Sequence, residues 1–146
     1  MIEVAVVCFG IFAIGLAASE LKQIKKSTSA DLMLRFDEII ARGDNLSIID
    51  AVEHNQPILS VFSELQLDTF LGSLELLNSV YEAELVSSEM LCTSFSDYIV
   101  RSYRNPEIRA YLAEVQKSDP AYFRGFQLMA QQMLDQELCY ESPDEL

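Results

Sequence analysis

Histidine is the scarcest chemistry-bearing residue in this chain: there is one, His54. A lone histidine cannot build a two-histidine metal face, and the Glu-x-x-His pairs that hold di-iron in helical bundles are absent. Placed just ahead of Pro57, it reads as an ordinary surface or turn residue. Glycine is sparse too, with five residues, and none of them sits in a phosphate-cradling or nucleophile-elbow pattern. Cations are few: ten lysines and arginines against twenty-three acids leave a formal charge of −13. Binding nucleic acid requires cations that neutralise phosphate, so this balance disfavours it, whereas a basic protein partner stays compatible. Neither a metal nor a cofactor is expected.

The cysteines are Cys8, Cys92 and Cys139, an odd number whose spacings match neither a disulfide framework nor a zinc site. They are expected as reduced thiols. Cys8 and Cys92 should pack as small hydrophobes, and Cys139, near the acidic end, should be accessible.

What the chain does have is an apolar start. MIEVAVVCFGIFAIGLAA carries one charged side chain, Glu3. Residues 1–21 as a helix would extend roughly 30 Å, close to the hydrocarbon thickness of a bilayer. A secretory signal would need cations ahead of the apolar run, and here Glu3 precedes it while Lys22, Lys25 and Lys26 follow. The expectation is a single membrane helix over 1–21, a basic juxtamembrane linker over 22–30, an acidic helical domain over 31–138 and an acidic tail over 139–146. The trailing lysines place the domain on the cytoplasmic side of a cell inner membrane. Gly10, Ala13 and Ala17 form one face of small residues where another helix, including that of a second copy, could pack. The competing reading buries residues 1–18 in a protein assembly instead.

Downstream, helical spacing dominates and no sustained alternation suggests strands, so the fold class is all-α, a small antiparallel helical bundle. Ser27-Thr28-Ser29 reads as a break. Leu32, Phe36, Ile39 and Ile40 then mark a helix ended by Gly43, and Asn45 can cap a short one. Pro57 to Tyr81 gives the strongest signal, with Val61, Leu65, Phe70, Leu74, Leu77 and Tyr81 on one face and a kink over 67–69. Further helices are expected over 87–103, 106–117 and 120–138, the last two opened by Asn105-Pro106 and Asp119-Pro120.

Paired carboxylates (Glu82 with Glu84, Asp37 with Glu38, Glu64 with Asp68) read as solvated faces of amphipathic helices. Glu75 differs, since it lies inside FLGSLELLNSVY; turned inward, it would need a partner such as Arg101, Arg104 or Arg109. Tyr98, Arg101, Tyr103, Arg104 and Arg109 mix the side chains typical of contact surfaces, and they are the candidate protein contact.

Phe70 to Leu112 resembles a group of uncharacterised bacterial proteins with an N-terminal membrane helix and a small helical domain. The likeness rests on Phe70 and Glu75, then Leu85 and Glu89, then a Phe-x-x-Tyr-Ile face (Phe95, Tyr98, Ile99) ahead of Pro106. Members typically carry a tryptophan in the second helix, which this chain lacks. The resemblance implies membrane anchoring and architecture, and no activity. Together these observations favour a non-enzymatic, membrane-anchored adaptor or accessory subunit. The alternative is a soluble acidic inhibitor of immunity type that masks a basic partner.

Overall fold

The computed structural model describes residue 23, residues 27–135 and residues 138–139. The expected membrane helix over 1–21, its face of Gly10, Ala13 and Ala17, and Cys8 lie outside the described residues. Among the described residues no helix is long and apolar enough to cross a membrane, and no strand occurs.

Residues 27–40 are helical (α1), so the break expected at Ser27-Thr28-Ser29 does not form. Met33, Phe36 and Ile40 bury one stripe of α1, while Ile39 stays exposed. Gly43 adopts φ +56°, a conformation that costs glycine little, and it opens the next helix, α2 (Gly43–Glu53). Asn45 is buried inside α2, where its Nδ2 donates to the carbonyl of Ile39 and ties α2 to the end of α1.

The helix expected from Pro57 instead begins at Glu64 and runs as one continuous helix to Glu82 (α3). Ser63 stops it from starting earlier. Its hydroxyl accepts from the Gln66 backbone while the Gln66 side chain accepts from Ser63 N–H, a reciprocal cap. Leu67, Phe70, Leu71, Leu74 and Leu77 form the buried ladder of α3.

Ser87 caps α4 (Ser88–Arg104), which buries Leu91, Phe95 and Ile99. Asn105 then accepts from two backbone N–H groups of α5 (Pro106–Val115), with proline in its first turn. The last helix, α6 (Arg124–Leu134), starts later than Asp119-Pro120 predicts, because Phe123 takes a left-handed conformation just ahead of it. Phe126, Met129, Ala130 and Met133 face inward. α6 lies on α3 and α4, α2 packs on both α3 and α4, and α5 packs on α4.

Cys92 and Cys139 are joined in a disulfide, with Cα atoms 5.5 Å apart. This corrects the expectation of reduced thiols at these two positions. The residues are 47 apart in sequence, and only the return of the chain after α6 brings them together.

Candidate functional site

Among the described residues an open groove of about 600 Å³ lies between α2, the segment ahead of α3 and the middle of α4. Leu46, Ile49 and Ala51 come from α2, Val61 and Phe62 from the approach to α3, and Tyr98 from α4. Ile49 and Ala51 are buried and make its floor, whereas Leu46 is 53% and Val61 64% exposed. Leu59 nearby is exposed as well. Isolated surface leucines are ordinary, but apolar side chains gathered around one groove mark a contact surface.

One carboxylate from another helix shapes the groove wall. Residues 58–62 make a single helical turn, with Val61 and Phe62 N–H groups both donating to the Ile58 carbonyl. Glu107 of α5 accepts from Ile58 N–H at 2.8 Å and Leu59 N–H at 2.7 Å. These bonds from Leu59 and Ile58 lower the Glu107 pKa from its ordinary value. Ile58 is fully buried. The turn is thus pinned at its start, and Val61 and Phe62 are held out along the groove.

The rim is acidic. Asp50 and Glu53 line the groove from α2, and no lysine or arginine does. His54 Nδ1 lies 3.2 Å from Asp50, at the exposed end of α2. From Gly43 to Val100, the stretch that supplies every lining residue, the sequence has no lysine or arginine and ten acids.

The five residues picked as a protein contact lie on α4 and α5. Tyr98 is half-buried and lines the groove. Arg101 and Arg104 border a smaller hollow of about 160 Å³ with Glu53. Arg101 also pairs with Asp97 at 2.7 Å, and this bond raises its pKa. Tyr103 turns toward α6, edge-on to Phe126, its hydroxyl donating to Gln131. Arg109 is exposed on α5. Sequence reasoning missed Leu46, Asp50, Glu53, Val61 and Phe62. The available signal was the missing cations between Arg42 and Arg101.

Two polar clusters elsewhere serve the fold. Glu75 is half-buried, and its partner is no arginine: its two oxygens accept from the N–H groups of Gly125 at 3.1 Å and Phe126 at 2.6 Å. It caps α6 from outside, where Phe123 offers no side-chain cap. Tyr111 is buried and donates to Asp68 at 2.6 Å, which ties α5 to α3. Burial and the Asp68 carboxylate hold its phenol well above the ordinary range. Among the described residues no group of three or more metal-ligating side chains could hold an ion. No protein-family model, curated protein or solved structure matches the chain.

Proposed function

We propose that this chain is a non-enzymatic, membrane-anchored adaptor or accessory subunit whose helical domain binds another protein through the α2–α4 groove. The observation that carries the reading is the gathering of exposed Leu46 and Val61 with Phe62 and Tyr98 around one open groove. The likeness of Phe70–Leu112 to membrane-anchored helical proteins supports the same reading.

The positions of the described chain ends support it too. Ser29 donates to the Leu85 carbonyl, beyond the end of α3, and Cys139 is bonded to Cys92 near the start of α4. Both ends of the described chain therefore emerge at one pole. The groove's Val61 and Phe62 precede α3, whose nineteen residues extend about 28 Å. The groove therefore lies toward the end of α3 away from the pole where the described chain ends emerge.

Two observations bear on the side of the membrane. The lysines after the apolar run favour the cytoplasm, while a disulfide favours an oxidising compartment. Flanking charge acts during insertion, before the domain folds, so we take the cytoplasmic side.

A photo-reactive phenylalanine analogue replacing Val61 in the full-length chain tests the reading in cells, with Ala113 of α5 as control. A discrete cross-linked protein at position 61 and none at 113 is expected. No cross-link at 61, or the same products at both, would overturn it.

A further inference from the structure

Resting on that reading, we propose that the groove's occupant is an amphipathic helix with lysines or arginines flanking its apolar stripe. Three observations select this partner chemistry.

The first concerns the recognition mode. Among the described residues there is no strand, so no sheet edge exists to which an extended peptide could add. The apolar part of the walls is more aliphatic than aromatic, with Phe62 and Tyr98 the aromatic members and Ser47, Asp50, Glu53 and Gln56 the polar ones. A proline-rich ligand would want stacked aromatics, whereas Leu46, Val61 and Ile49 suit leucine-like knobs spaced along a helix.

The second is charge. Asp50 and Glu53 stand one turn apart on α2 along the rim, where they would meet the cations beside an apolar stripe. Of the two arginines that share a hollow with Glu53, Arg101 is already paired with Asp97. The run from Gly43 to Val100, which supplies every lining residue, has ten acids and His54 as its ionisable charged side chains, a balance that favours a basic partner.

The third is rigidity. Glu107 holds the 58–62 turn through two backbone bonds, and buried Ile58 anchors it. A wall fixed before binding needs little ordering when the partner helix arrives.

The test titrates the full-length chain, held in nanodiscs of neutral lipid, against three fluorescent model peptides. One carries leucines at helical spacing with lysines beside them. The second replaces each lysine by glutamate, and the third permutes the first so that no stripe forms. Only the first should bind, with affinity falling as salt rises. Val61→Asp should abolish that binding, and the double variant Asp50→Lys/Glu53→Lys should weaken it roughly tenfold. These side chains are exposed, so helix content measured by circular dichroism should match the parent. Equal binding of the permuted peptide, or binding untouched by Val61→Asp, would reduce the effect to bulk charge and overturn the proposal. Failure of the lysine peptide would overturn it as well. A cross-link at position 61 would in that case still uphold the groove as a protein contact.

Discussion

Val61 and Leu65 are as apolar as Leu71 and Leu74 and belong to the same stretch of chain. Leu71 and Leu74 are fully buried, while Leu65 is 75% exposed and Val61 stands on the groove wall. Helical phase makes the difference. Leu65 precedes Leu67 by two residues, about 200° of rotation, so it lies opposite the buried ladder of α3. Val61 is off the helix altogether, on the turn that Glu107 caps. Apolar side chains that phase or a cap keeps out of the core are available to a partner, and they can serve one without weakening the fold.

The largest effect should separate these two sets. Phe70→Ala is expected to cost about 3–5 kcal/mol, whereas Val61→Ala should stay within about 0.5 kcal/mol, both read from urea unfolding. Similar losses would erase the distinction between core and groove.

Next comes the clamp on the chain's end. The disulfide closes a loop between residues 47 apart. Cys92→Ser should cost about 2–4 kcal/mol under oxidising conditions and match the parent in reductant, by thermal melting. An unchanged melting temperature would show that the clamp adds nothing to the core region.

Smaller losses are expected at the ties between helices. A Cβ on Gly125 would fall 2.6 Å from Asn78 Nδ2 and 2.7 Å from Glu75 Oε1. Gly125→Ala should push Glu75 off the α6 terminus and cost about 1–3 kcal/mol. Tyr111→Phe, which loses the bond to Asp68, should cost about 1 kcal/mol. Its pH signature has a definite sign. With the folded phenol pKa raised, the unfolded chain releases its proton first, so stability falls as pH rises past about 10. The phenylalanine variant should lack that part of the alkaline loss.

The smallest effect on stability should fall on the groove side. The Glu107 pKa is depressed by the N–H groups of Leu59 and Ile58. Its contribution is present above the ordinary value of 4.5 and is lost as pH falls through the lower folded value. Glu107→Gln should flatten this acid limb and weaken cross-linking from position 61 while helix content holds.

Much of the helical layout was legible in the sequence. Ser87, Asn105 and Pro106 mark real boundaries, because capping chemistry is local. Leu91, Phe95 and Ile99 do bury the predicted face of α4. The start of α3 was not legible. A run of apolar residues from Ile58 to Leu65 continues the helical look, while the stop depends on Ser63 pairing with Gln66 and on a carboxylate nearly fifty residues away. The role of Glu75 was half legible. Its apolar neighbours singled it out, but its partner is a helix terminus, which no side-chain pattern announces. The contact residues chosen for their type are divided between α4 (Tyr98, Arg101, Tyr103, Arg104) and α5 (Arg109); Tyr98 lines the groove while Tyr103 turns to α6.

By itself the sequence determined the helical class, the acidic balance, the apolar start and the caps of α4 and α5, since periodicity, charge and capping act within a few residues. Tertiary structure alone decided which apolar residues stay outside the core, which carboxylate caps which turn, and that Cys92 meets Cys139. Each of these depends on distances between residues far apart in the chain, which only packing sets.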